Sequence, residues 1–102
     1  MVNEKRKIVW LPLAKEQLKS IIAYIRNDSP QNAGKVKKEI LQQVSALLKN
    51  PEIFPPDKYK LANTENAYRA FEKHKIRISY FVDEQFIMII RVRHTKQEPL
   101  LY

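Results

Sequence analysis

The stretch AYRAFEKHKIRISYFVDEQFIMIIRVRHTKQEPLLY (residues 67–102) decides how this chain folds. Three runs rich in β-branched and aromatic residues start near Tyr68, Ile76 and Phe86, and Lys73-His74-Lys75 and Asp83-Glu84-Gln85 separate them. They read as three strands joined by short turns, an antiparallel meander. Alternate side chains of a strand point to opposite faces of its sheet. One parity carries Tyr68, Ala70, Ile76, Ile78, Tyr80, Val82, Phe86, Met88, Ile90 and Val92, all apolar or aromatic. The other carries Arg69, Phe71, Arg77, Ser79, Phe81, Ile87, Ile89, Arg91 and Arg93, with His94 just beyond. The expectation is one face built to be covered and one open face with four arginines among apolar groups. Such an open face is either a solvated surface or a phosphate site.

Working outward, residues 51–66 (PEIFPPDKYKLANTEN) hold three prolines and show no period. They read as a long loop, with Lys58 and Lys60 on either side of Tyr59. Before it lie two amphipathic helices. The first starts at Pro12 and shows Ala14, Leu18, Ile21, Ile22 and Ile25 on one side; the second shows Ala33, Val36, Ile40, Val44 and Leu47. Ser29 caps the second helix with Pro30 at its first position, and Asn50-Pro51 ends it. The short connection implies an antiparallel helical hairpin. Residues 7–11 (KIVWL) read as a first strand.

The order is β-α-α-β-β-β. The fold class is α+β: one two-layer domain over residues 1–102, with the hairpin packed on one face of a mainly antiparallel four-stranded sheet. Of the 102 residues, 44% are hydrophobic and 29% charged, which fits a folded domain. The absence of cysteine removes disulfides, thiolate metal sites and a cysteine nucleophile. The single glycine, Gly34, removes glycine-rich phosphate loops. With two distant histidines, no metal and no cofactor are expected. No apolar run suits a signal peptide or a bilayer span, so a cytoplasmic setting without membrane contact is expected.

The formal charge of +8 suits a polyanionic partner and equally suits simple solubility. Residues 1–50 hold ten Lys/Arg against four Asp/Glu, and residues 51–102 hold nine against seven. Most of the surplus therefore lies in the N-terminal half, where the two helices are placed, and the half that bears the arginine strands is not the more basic one.

The residue types on the open face suit RNA backbone cleavage. Attack by a 2′-hydroxyl needs a proton acceptor, charge stabilisation on the phosphate oxygens and a proton for the leaving oxygen. Arginine supplies the second; histidine, lysine or tyrosine can supply the others. Aromatic rings stack unpaired bases.

Ordered along the chain, these pieces resemble the RelE/ParE superfamily of bacterial toxins, known also as plasmid stabilisation proteins. The resemblance rests on Trp10-x3-Ala14-x3-Leu18-x2-Ile21-x2-Tyr24-Ile25, on Ile40 to Leu48 followed by Asn50-Pro51, and on Tyr68-Arg69-x-Phe71. It continues through Ile76-x-Ile78-x-Tyr80 and Ile89-x-Arg91-Val92-Arg93-His94-Thr95-x2-Glu98-Pro99-x2-Tyr102. It implies the fold above and a cognate antitoxin whose acidic or amphipathic segment wraps the toxin. RelE-like members cut mRNA at the ribosomal A site without a metal, whereas ParE-like members poison DNA gyrase. Residue by residue, Arg69 resembles the arginine that contacts the scissile phosphate, and Lys58 and Lys60 the lysine pair ahead of it. Arg91 or Arg93 stands for the second arginine, His94 for a histidine of other nuclease branches, and Tyr102 for a C-terminal tyrosine in the cleft. Arg77 matches nothing catalytic and is expected to be structural or merely electrostatic. The leading expectation is a toxin acting as a ribosome-associated mRNA endonuclease, with those residues converging on the open face. The alternatives are a gyrase inhibitor that works by binding, through its basic hairpin, and an inactive toxin-fold module.

Overall fold

Two prolines and one serine organise the first half of the computed structural model, which describes residues 6–97 and 100–102. Helix α1 (Pro12–Asp28) and helix α2 (Pro30–Ala46) each begin on a proline, whose missing N–H would have no partner in a first turn. Ser29 alone joins them. Its backbone N–H closes α1 onto the Ile25 carbonyl, and its hydroxyl accepts from the Asn32 N–H at 3.2 Å to cap α2. The expected antiparallel hairpin follows.

Strand β1 (Lys7–Trp10) precedes the helices, and β2 (Tyr68–Lys73), β3 (Ile76–Val82) and β4 (Phe86–His94) follow the loop. A short 3₁₀ turn (Thr95–Gln97) ends the strand region. The sheet order is β1-β4-β3-β2; β2, β3 and β4 pair antiparallel, while β1 runs parallel to β4. The sheet is therefore mixed, with one parallel pair. Glu98 and Pro99 lie outside the described residues.

The register corrects the expected division of faces, and turn length is the reason. Only His74 and Lys75 form the β2–β3 turn, both left-handed with φ 55° and 63°, so Lys73 pairs with Ile76. A two-residue turn joins opposite parities. Phe71 thus pairs with Ile78, and Arg69 with Tyr80, on the side the helices cover. Tyr68, Ala70 and Glu72 lie on the open side opposite Phe81, Ser79 and Arg77. The β3–β4 connection flips parity again. Ile87 and Ile89, expected on the open face, pair with Val82 and Tyr80 and are wholly buried, while Met88 pairs with Phe81 on the open face. A bulge at Ile90 then restores the phase, so Arg91 faces Ser79 and Arg93 faces Arg77. A one-residue slip moves every side chain to the other face.

The core lies between hairpin and sheet. Ala14, Leu18 and Ile22 of α1 and Val36, Ile40, Val44 and Leu47 of α2 meet Phe71, Ile76, Ile78, Tyr80, Ile87, Ile89 and Val92. Ile8 and Trp10 pack at its edge. Beside the bulge, the Val92 N–H donates to Gln17 Oε1 at 2.7 Å, tying α1 to the irregular part of β4.

Candidate functional site

The loop between α2 and β2 is anchored as though it were a fifth strand. Pro56 bridges Arg69, and the Asp57 N–H donates to the Tyr68 carbonyl at 2.8 Å. Asn63 clamps both backbone groups of Tyr68, donating to its carbonyl at 2.8 Å and accepting from its N–H at 3.2 Å. At the loop's start the Tyr80 hydroxyl donates to the Pro51 carbonyl at 2.8 Å, and burial pushes that phenol up to about 12. These bonds deliver the Asp57 side chain onto the open face of the sheet.

Asp57 is 2% exposed and is the centre of the site. Its Oδ1 accepts from Arg77 Nη2 at 2.7 Å and from the Tyr59 N–H at 3.0 Å. Its Oδ2 accepts from the Ser79 hydroxyl at 2.8 Å and from the Tyr102 hydroxyl at 2.5 Å. Burial pushes the carboxyl up. The hydrogen bonds from Tyr102, Arg77, the Tyr59 N–H and Ser79 outweigh that and hold it below the ordinary carboxylate range. Burial, with the bond to Asp57 next, drives the Tyr102 phenol far above its ordinary value, so at neutral pH it is a donor and not a base.

Cations and aromatic rings alternate around this centre. Arg77, 8% exposed, also pairs with Glu72 at 2.8 Å and lies over the Tyr59 ring at 4.7 Å. Arg91 stacks on the Tyr102 ring at 4.3 Å and donates to the Leu100 carbonyl at 2.9 Å. Lys60 Nζ stands 4.6 Å from the Tyr68 ring and 5.3 Å from that of Tyr102. The Tyr102 backbone completes the junction: its N–H donates to the Tyr59 carbonyl at 3.0 Å, and its carbonyl accepts from the Leu61 N–H at 2.6 Å. Arg77, expected from sequence to be structural or merely electrostatic, is held by two carboxylates, Asp57 and Glu72.

The expected convergence of candidate residues is only half met. Lys60, Arg91 and Tyr102 come together, and Arg93 shares their face, donating to the Gln97 carbonyl at 3.1 Å. Lys58 sits on the loop, 5.2 Å from the Tyr59 ring. Arg69 does not join them. Register places it on the helix side, where it donates to the Phe54 carbonyl at 2.7 Å and meets Glu52 at 3.3 Å, its side chain 15% exposed. His94 pairs with Ile76 on that same side, and its Nδ1 accepts from the Lys96 N–H at 3.1 Å. Among the described residues no three His, Asp or Glu side chains group as a metal site, and no helix is long and apolar enough to cross a membrane.

Sequence reasoning missed Asp57, Ser79 and Tyr59. One signal pointed to Asp57. An arginine flanked by Ile76 and Ile78 in a strand with a covered neighbour needs an acid nearby. The loop holds the carboxylate that register brings to it.

The family described as "ParE toxin of type II toxin-antitoxin system, parDE" matches residues 8–99. No curated protein sequence matches the chain. Among solved structures, the chromosomal ParDE toxin–antitoxin system of P. aeruginosa superposes with a TM-score of 0.72 at 20% identity, over 90% of this chain and 98% of that one. The YoeB dimer of Staphylococcus aureus gives 0.58 at 24% identity, over 87% and 95%. The E. coli DinJ-YafQ toxin-antitoxin complex gives 0.52 at 16%, over 91% and 96%. At these identities the likeness is one of fold. With the family match spanning nearly all of both layers, the chain belongs to the ParE toxin family of type II toxin–antitoxin systems, within the RelE/ParE superfamily.

Proposed function

We propose that this toxin stops its target by binding, as a ParE-like inhibitor of DNA gyrase, and that a cognate antitoxin holds it in check. One observation carries the reading: the candidate residues that the resemblance assigns to a nuclease are divided between the two faces of the sheet. Arg69 and His94 lie on the helix side, each hydrogen-bonded to backbone. On the open face, the acid is buried among four donors and the tyrosine phenol is held protonated. A general base must sit within hydrogen-bond reach of its proton and titrate near the working pH. Asp57 is fully engaged and Tyr102 titrates too high. The network reads as a brace that fixes the loop and residues 100–102 against the sheet.

A second reading rests on Lys60 and Arg91, whose cations border the Tyr68 and Tyr102 rings. Cations interleaved with aromatic rings suit an unpaired nucleotide, and mRNA cutting on the ribosome is the activity that would follow. Purified toxin added to gyrase with relaxed plasmid separates the two. The binding reading expects supercoiling to fall as toxin is titrated. Unchanged supercoiling at high molar excess rejects it. Co-purification with the product of the adjacent gene tests the antitoxin.

A further inference from the structure

Helix α1 has three sides. Ala14, Leu18 and Ile22 face the core. Lys15, Lys19 and Arg26, all of its lysines and arginines, stand on a second side, along the groove shared with α2. Leu13, Gln17, Ser20 and Tyr24 recur at i, i+4, i+7 and i+11 and form the third. Gln17 is tied to the Val92 N–H. Leu13 and Tyr24 are 63% and 73% exposed, more than any other large hydrophobic side chain among the described residues. Glu16, Asn27 and Asp28 flank the stripe. Neither Glu16 nor Asp28 forms an ion pair among the described residues. A recess of about 240 Å³ lies beside the stripe between Ile21 and Val92. Arg93 lines that recess too, with its guanidinium donating to the Gln97 carbonyl at 3.1 Å.

Tyr24 is an independent pointer. It belongs to the Trp10–Ile25 spacing on which the family resemblance rests, and Ala14, Leu18 and Ile21 of that spacing pack in or against the core. Tyr24 does not, so the fold gives its ring no apolar burial. Leu13 is in the same position one helix length away, about 17 Å along the axis. A large aromatic and a leucine held in water on one rigid stripe are suited to burial by another molecule.

We propose that this stripe of α1 is the surface that meets the target enzyme, and that it docks on a basic patch with an apolar hollow for Tyr24 and Leu13. The inference rests on the binding reading above and names the side of the hairpin that does the binding. Charge selects the occupant. A nucleic acid finds no cation of α1 on the stripe. An acidic antitoxin segment meets Glu16 and Asp28 as like charges. A second copy of the chain sets the same two acids against themselves. A basic protein surface pairs with both, and an enzyme that grips DNA carries such surface to neutralise phosphates. The chain's net charge of +8 does not forbid the approach, because exposed charges more than about 8 Å away are largely screened at physiological salt. The basic side of α1 is left out of this contact.

The test titrates the full chain and its variants into DNA gyrase with relaxed plasmid, and reads binding of labelled toxin to gyrase by fluorescence anisotropy. Tyr24→Ala should raise the half-inhibiting concentration about thirtyfold, the loss of a central aromatic contact. Glu16→Lys with Asp28→Lys should weaken binding about tenfold. Both variants change exposed side chains, so their circular dichroism spectra and melting temperatures should stay those of wild type. Wild-type toxin that leaves gyrase untouched at high molar excess rejects the binding reading, and this inference with it. Inhibition by wild type that Tyr24→Ala and the double lysine variant leave unchanged overturns this inference alone. Three further results overturn it by naming another occupant or side, each with Tyr24→Ala still inhibiting fully. One is loss of inhibition by Lys19→Glu with Arg26→Glu, which moves the contact to the basic side. Another is a Tyr24→Ala toxin that the product of the adjacent gene no longer captures, which makes the antitoxin the occupant. The last is a toxin dimer that Tyr24→Ala dissolves, which makes it a second copy.

Discussion

Replacing Asp57 by asparagine tests the brace on the open face. The variant keeps the shape and one acceptor oxygen for Arg77 and the Tyr59 N–H, while its amide nitrogen faces the Ser79 and Tyr102 hydroxyls, which can rotate to accept. What is lost is the charge: Arg77 loses its buried counter-charge and keeps only Glu72. Breaking a buried pair on one side typically costs about 3–5 kcal/mol. For a domain of this size that lowers the melting temperature by at least about 12 °C. The effect has a pH signature. The folded carboxyl titrates below its ordinary value of 3.8, so its stabilisation is present above that value and is lost as pH falls through the folded pKa. The gap between wild type and Asp57→Asn is therefore wide at pH 7 and narrows in acid below about pH 4. Urea unfolding followed by circular dichroism at several pH values reads both. A loss under about 1 kcal/mol at pH 7, or a gap that does not narrow in acid, would refute the reasoning.

Three further substitutions probe other joints. Tyr102→Phe removes a single donor from the charged Asp57 and should cost about 1.5–3 kcal/mol in the same urea assay, less than Asp57→Asn. Gln17→Leu leaves the Val92 N–H beside the bulge without its acceptor, and a loss of about 1–3 kcal/mol is expected. Lys75→Gly relieves a left-handed backbone at φ 63° and should raise stability by about 1 kcal/mol in thermal melts.

The fold was legible where signals are local. Pro12, Ser29 and Pro30 announce their helices, apolar periodicity marks the buried stripes, and the three strands alternate visibly. Facing was not legible, because it depends on single residues. A turn of two rather than three residues at His74 and Lys75 moved Arg69 and Phe71 to the helix side. A bulge at Ile90, where no glycine or proline marks it, separated Ile87 and Ile89 from Arg91 and Arg93. The candidate site suffered most, since its bonds are long-range. Asp57 lies 20, 22 and 45 positions from Arg77, Ser79 and Tyr102. Resemblance named Tyr102, Arg91 and Lys60, which do meet, but it could not supply the carboxylate between them.

The central claim is that the toxin binds rather than cuts. The most direct measurement places one preparation in two reactions: gyrase with relaxed plasmid, and stalled ribosomes carrying end-labelled mRNA. The account predicts that supercoiling falls with added toxin while the mRNA stays intact. Codon-specific cleavage with supercoiling untouched would contradict it.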